Sequence, residues 1–307
     1  LKNEMYKGKN SIVRKWISPA YGMSGWRIDV GNMTGRLGAD DLHDDVMHGI
    51  RQAMDETNPD AWLVAENGDF VASDLNGLGW HGAMNYQGFM RPVWNWLNRN
   101  SEIGGGFQGL PFAMPQITGQ QLINSMKQFN ASVPWRSVTA SMVLLDSHDT
   151  ARFRTVVKGD VPSHLSAMTM VLTYPGVPSI FAGDEIGLEG SWGEDGRRTI
   201  NWDDRSGWDH GFMGEVKDLI SIRKSNDALI NGGLRWVAAE KDFILYLRES
   251  QEQSLLIFVS RQGVKAKVDI SSLGLKVTKT LYGNTASGSK FVVKSKEATQ
   301  AIWEVTR

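Results

Sequence analysis

The sequence predicts an α/β fold, built from parallel βα units of a barrel and followed by a small antiparallel β-sandwich. Three observations carry this. Through residue 231, short apolar runs that end in polar residues alternate with longer helical patterns, the signature of parallel βα units. From about Gly232 the texture changes to β-alternation with closely spaced turn signals. The chain has 307 residues, 41% hydrophobic and 22% charged, which excludes a disordered or fibrous chain. That length suits a barrel of ~250 residues with a remainder. The domain boundary falls at Asn231-Gly232-Gly233, giving domains 1–231 and 232–307, with no internal repeat or low-complexity tract.

The first strand covers residues 25–30 (GWRIDV), and a glycine-bearing turn follows over 31–38. Asp40 and Asp41 suit a helix N-terminus through capping and the macrodipole, so a helix is expected over 41–57, stopping before Pro59. Residues 61–66 (AWLVAE) read as a second buried strand ending in an acid. A strand at 82–86 (GAMNY) follows only from its place in the alternation. Residues 99–116, rich in Gly and Pro, read as a long loop, after which Thr118 caps a helix reaching about Asn130. Strand 141–145 runs into Asp146-Ser147-His148-Asp149. A helix over 163–173 leads to the last strand of the series, 176–182, and 214–226 is an amphipathic helix. The sandwich strands are 243–247, 254–259, 265–270, 291–293 and 301–305.

Charge and cysteine content narrow the function. With 33 Lys+Arg against 34 Asp+Glu the net charge is −1, so binding to nucleic acid or to an anionic membrane lacks its electrostatic drive. The expected partner is neutral or small. No cysteine means no disulfide framework, thiol nucleophile or zinc finger, and the compartment stays open. No apolar run approaches the ~20 residues of a membrane span. The chain opens Leu1-Lys2-Asn3, and no signal peptide is visible. His43 and His48, five apart, do not share a helix face, so no histidine metal site is expected. Asp40, Asp41, Asp44 and Asp45 lack an EF-hand loop and read as a solvated helix start. The sequence therefore calls for no metal or cofactor, and a structural calcium finds no support in it. Residues 104–109 (GGGFQG) match the dinucleotide fingerprint formally, but they follow no clear strand and run into Pro111 and Pro115 instead of a helix.

Three of the βα units present an acid at the C-terminal end of the strand: Asp29, Glu66 and Asp149. In a parallel barrel that end builds the active site. A carboxylate in an apolar strand is costly to bury without a partner, and Arg27, two residues before Asp29 and on the same side of the strand, can pair with it. One acid at a strand end is most often a satisfied ion-pair residue, whereas three on successive units point to chemistry. Two carboxylates flanking one bond are what glycoside hydrolysis needs, one as nucleophile or base and the other as proton donor.

The segments GWRIDV (25–30), VAEN (64–67) and LLDSHDT (144–150), in that order, resemble three short conserved regions of the α-amylase superfamily, glycoside hydrolase family 13. YPGVPSIFAGDEIGL (174–188), the Arg-Arg and Asn-Trp of GRRTINW (196–202) and the helix ending in SIRK (221–224) support the match, which runs over nearly the whole chain. Its flavour is that of the neopullulanase, cyclomaltodextrinase and α-glucosidase branches. The resemblance implies that Asp29 attacks the anomeric carbon while Glu66 protonates the leaving oxygen and then deprotonates the incoming water. Asp149 and His148 would bind the ring hydroxyls, and Arg27 would hold Asp29. Retention of configuration follows where the two carboxyls lie ~5–5.5 Å apart. The implied substrate is an α-glucan such as a maltooligosaccharide, a cyclodextrin or pullulan.

The resemblance also implies a partial (β/α)8 TIM barrel. In this family the nucleophile ends the fourth barrel strand, and here it is residue 29, so the chain would carry the last five βα units. The first three strands and the inserted loop domain have no sequence to come from, and a second chain is one source for them. Such an arc leaves open edges, a liability in water. Two rival expectations stand beside hydrolysis: a truncated chain that is inactive or binds glucan weakly, and a transglycosylase of the same mechanism. The sequence departs from the family at Asn67-Gly68-Asp69, where an apolar residue and then an aromatic often follow the acid; this bears on the leaving-group side. Trp80, Trp94, Trp96, Trp192 and Trp202, in or near expected loops, offer flat faces to sugar rings or pack as ordinary core. Asp184 and Glu185 read as loop-organising partners of Arg197 or Arg198.

Overall fold

The structure is a computed structural model that describes residues 1–68, 70–99 and 114–307. The fingerprint-like 104–109 and most of the expected loop at 99–116 lie outside the described residues, as does Asp69. The chain divides into two compact units, one of Leu1–Gly88 with Gln128–Val143, the other of Phe89–Lys127 with Leu144–Arg307. The parallel strands and helices are those of a partial barrel, and the C-terminal strands form antiparallel sheets.

In the first unit, strands Gly25–Ile28, Trp62–Ala65 and Gly82–Ala83 form a parallel sheet in that order, extended by a parallel bridge between Met84 and Met142. Trp62–Ala65 is almost wholly buried, as its unbroken apolar run requires of a strand covered on both faces. Gly25–Ile28, at the end of the sheet order, is half-buried along its whole length. The helix His43–Thr57 places Met47, Ile50 and Met54 on one stripe, where they join Leu63, Ala65, Leu75 and Trp80 in the core.

The expected helix start at Asp40-Asp41 is instead the second arm of a small ribbon, Asp40–Asp41 against Arg36–Leu37. Gly38, at φ +59°, supplies the left-handed turn between the arms, and Arg36 pairs with Asp41 at 3.1 Å. Asp41 still accepts from the His43 amide at 3.1 Å, so the capping chemistry holds while the helix begins two residues later.

In the second unit, Thr118 and Gln121 form a reciprocal capping box on the helix Gly119–Ser132: the Gln121 amide donates to Thr118 Oγ1 (3.2 Å) and the Thr118 amide to Gln121 Oε1 (2.8 Å). Asp160 and Asp209 cap the helices Val161–Thr173 and His210–Ser225. The expected strand at 176–182 shrinks to Val177–Pro178. A five-stranded antiparallel sheet runs in the order Lys276–Gly283, Gln300–Thr306, Ser254–Ser260, Phe243–Glu249, Gly233–Ala239, beside a second sheet of Val264–Asp269 and Lys290–Ser295. Leu245, Leu247, Leu256, Phe258, Val268, Val293 and Trp303 fill the core of the sandwich. The opposite face of the larger sheet is buried too. Thr173 Oγ1 meets Tyr246 Oη at 2.5 Å, and Arg248, buried, donates to the carbonyls of Thr173 (2.5 Å) and Gly232 (2.8 Å). Burial brings the Arg248 guanidinium down to about 10. Among the described residues, no helix is long and apolar enough to cross a membrane.

Candidate active site

Register sets the first cluster. Arg27 pairs with Val64 and Ile28 with Ala65 across neighbouring parallel strands, so Asp29 and Glu66 leave the sheet side by side. The ladder continues one step beyond: the Glu66 amide donates to the Ile28 carbonyl (2.8 Å) and the Gly31 amide to the Glu66 carbonyl (2.7 Å). Arg27 then bridges the acids, Nη1 donating to Asp29 Oδ1 at 2.5 Å while Nη2 lies 3.0 Å from Glu66 Oε2. The Glu66 side chain is 9% exposed and that of Asp29 is 74% exposed. The expectation that each acid is buried in its strand therefore fails for Asp29. Its strand is the end member of the sheet, and its carboxylate is held by Arg27 while staying largely exposed.

Residue 30 makes the geometry possible. Val30 has φ 44° and ψ 50°, a left-handed conformation that a β-branched residue adopts only under strain. The turn aims its amide at Glu66 Oε2 (2.9 Å), adding a fixed donor to the same oxygen that Arg27 approaches. Gly31 must come next, because a Cβ there would stand 2.7 Å from Ala65 Cβ. Farther along, His43 is buried and ties two segments together: Nδ1 donates to the Thr34 carbonyl (2.8 Å), and Nε2 faces Asp74 Oδ2 at 3.2 Å. Sequence reasoning missed Val30 and the His43–Asp74 pair. Only the glycine after Val30 hints at the turn, and nothing local marks Asp74 as a partner.

The second unit holds the other cluster. Arg197 Nη2 donates to Asp149 Oδ1 (3.1 Å), its Nε donates to the His148 carbonyl (2.9 Å), and His148 Nε2 lies 3.3 Å from Asp149 Oδ2. The roles expected of Asp184 and Glu185 change. Asp184 is buried against Arg152 (2.7 Å), and Glu185 accepts from the Gly183 amide (2.8 Å). Arg197 goes to Asp149 instead, and Arg198 to Asp195 (2.7 Å). Trp80, Trp94 and Trp96 are core residues with no face free for a sugar, Trp94 and Trp96 lying on the helix Arg91–Leu97. Trp192 and Trp202 are exposed. Among the described residues no three His, Asp or Glu side chains converge as metal ligands.

Chemically, the first cluster offers one buried and one open carboxylate at adjacent strand ends under a shared cation. The second offers a carboxylate with an imidazole and a guanidinium beside it, a set suited to hydroxyl groups. The family model for the α-amylase catalytic domain matches residues 1–240. A cyclomaltodextrinase of a Bacillus species is 29% identical over 249 residues, which cover 80% of this chain and 40% of that protein. Neopullulanase 2 of Thermoactinomyces vulgaris is 29% identical over 259 residues, with 84% and 40% covered. The acarbose-soaked debranching enzyme of Nostoc punctiforme superposes with a TM-score of 0.77 at 25% identity, covering 95% of this chain and 59% of that one. The chain thus spans about two fifths of the length of these curated relatives.

Proposed function

The chain belongs to the α-amylase family, and on that premise we propose that it carries the catalytic carboxylates of a retaining α-glucan hydrolase acting on maltooligosaccharides, cyclodextrins or related glucans. Residues 1–231 would supply the barrel portion and 232–307 the sandwich. One observation carries the reading: Arg27 spans Asp29 and Glu66 at the ends of adjacent parallel strands, where two carboxyl groups can flank a single glycosidic bond.

In the proposed mechanism, the Asp29 carboxylate attacks the anomeric carbon as Glu66 gives its proton to the departing oxygen, leaving a glycosyl ester on Asp29. Glu66, now a carboxylate, takes a proton from water as that water displaces Asp29, and the acid form is restored. Arg27 and the Val30 amide hold Glu66 in place through both steps. Asp149 and His148 would bind ring hydroxyls, and a sugar acceptor in place of water would give transglycosylation. The first barrel strands would come from further chain or from a second chain.

A second reading, a glucan-binding chain without turnover, draws on the 74% exposure of the Asp29 side chain, since a nucleophile open to water lacks the dry wall that this chemistry favours. Release of the chromophore from a chromogenic maltoside separates the two. The hydrolase reading expects turnover once the first barrel strands are supplied, abolished in Asp29→Asn. No turnover in that complemented form would leave the binding reading.

A further inference from the structure

Behind Asp149 lies a group of charged residues that the proposed mechanism does not use. Asp146, three residues before Asp149, and Asp184 are both buried and neighbour each other, and no donor reaches Asp146 Oδ1 among the described residues. Two buried carboxylates beside a single guanidinium would leave one negative charge unmatched away from water, and one proton shared by the pair removes it. Arg152, also buried, donates from Nη1 to Asp184 Oδ1 at 2.7 Å, and the Phe153 amide donates to Asp146 Oδ2 at 2.6 Å. Two carboxylates, one proton and one guanidinium sum to zero, the balance that a buried site tolerates.

The rest of Arg152 reaches along one loop. Its amide donates to the Gly190 carbonyl (2.9 Å), Nε to that of Gly196 (2.8 Å) and Nη2 to that of Ala182 (2.9 Å). The next residue after Gly196 is Arg197, which holds Asp149 and the His148 carbonyl. The loop also presses on the backbone of Asp149: a Cβ at Gly193 would stand 3.0 Å from the His148 oxygen and 3.1 Å from Asp149 Cα. Asp149 is thus fixed from two sides by segments that meet at Arg152.

We propose that Asp146, Asp184 and Arg152 form a buried, charge-neutral clamp that positions Asp149 and Arg197 for substrate. The assignment of substrate to Asp149 rests on the proposed function; the clamp does not. Burial pushes both carboxyls above the usual carboxylate range, and at Asp184 the neighbouring Asp146 pushes further, while Arg152, the charge that faces both, pulls back. Asp146 and Asp184 are positioning residues.

Infrared spectroscopy of the full chain, with amide hydrogen exchange read on residues 182–198, tests the clamp. The wild type is expected to show a protonated carboxyl band at neutral pH that is lost in Asp146→Asn and in Asp184→Asn, because the amide stands in for the neutral partner and the remaining carboxylate pairs with Arg152. Both single variants keep the loop protected. The double variant leaves Arg152 unmatched, and exchange over 182–198 is expected to rise by about tenfold or more. A band that persists in both single variants, or unchanged protection in the double variant, overturns the proposal. If the double variant does not fold, the infrared comparison of the single variants decides. Maltotriose affinity read against pH adds the positioning test: it is expected to weaken in the wild type as the shared proton is lost and to stay level in the single variants. A pH profile identical in all three would overturn the positioning role. A wild-type chain that binds no maltotriose would count against the proposed function and leave the infrared result standing.

Discussion

Asp29 and Asp149 both follow short strands, yet the chain secures them in opposite ways. Asp29 stands on the end strand of its sheet, largely exposed and gripped by a single guanidinium, with a strained Val30 directly behind it. Asp149 is held by Arg197 and faced by His148, and Arg197 itself extends from a loop pinned at three carbonyls by Arg152. One carboxylate is preorganised by its own unit; the other has its register and its cation but little cover. The difference teaches that setting two carboxylates side by side and enclosing them are separate tasks.

Changes that attack the clamp should cost most. Arg152→Met leaves the buried carboxyl pair without its cation and is expected to lose about 3–5 kcal/mol in urea denaturation. A smaller loss tests the same unit through pH. His164 is buried with no hydrogen-bond partner for either ring nitrogen among the described residues, stacked on Phe212 at 4.3 Å. Burial, and then Arg154, hold its imidazole well below the ordinary value. The unfolded chain therefore binds a proton that the folded one refuses, and stability falls as pH drops below about 6.5. His164→Leu should flatten that acid limb in denaturation curves at pH 7 and pH 5. On the other side of the comparison, Arg27→Met should cost about 1–3 kcal/mol, because Glu66 keeps only the Val30 amide of the two groups at its Oε2. Smallest is Val30→Gly, expected to stabilise the fold by about 1 kcal/mol by relieving the left-handed strain while slowing turnover. A Val30→Gly chain that is less stable would show that the turn carries no strain.

Much of this was legible because burial writes itself into composition. The unbroken apolar runs at 62–65 and 255–259 declared their strands, whereas the helices capped by Asp160 and Asp209 begin earlier than the expected 163 and 214. Two strands of the sandwich were not seen. Gly233–Ala239 and Lys276–Gly283 both carry irregular register, which breaks the two-residue period that marks a strand. The Arg27–Asp29 pair was readable from spacing on one strand. The reach of Arg27 to Glu66, the grip of Arg197 on Asp149 and the burial of Trp80, Trp94 and Trp96 depend on residues distant in sequence, so no local pattern announces them. Asp184 misled for the same reason: an acid after a strand looks the same whether it faces solvent or a buried arginine.

The central claim is that Asp29 is the nucleophile and Glu66 its acid and base. Peptide mass mapping of Glu66→Gln, supplied with the first barrel strands and given a maltoside whose leaving group needs no proton, tests it directly. Without its base the intermediate should accumulate, and the account predicts a glycosyl mass on the peptide that contains Asp29. A glycosyl mass on the peptide containing Asp149, or an unmodified Asp29 peptide while the maltoside is consumed, would contradict it.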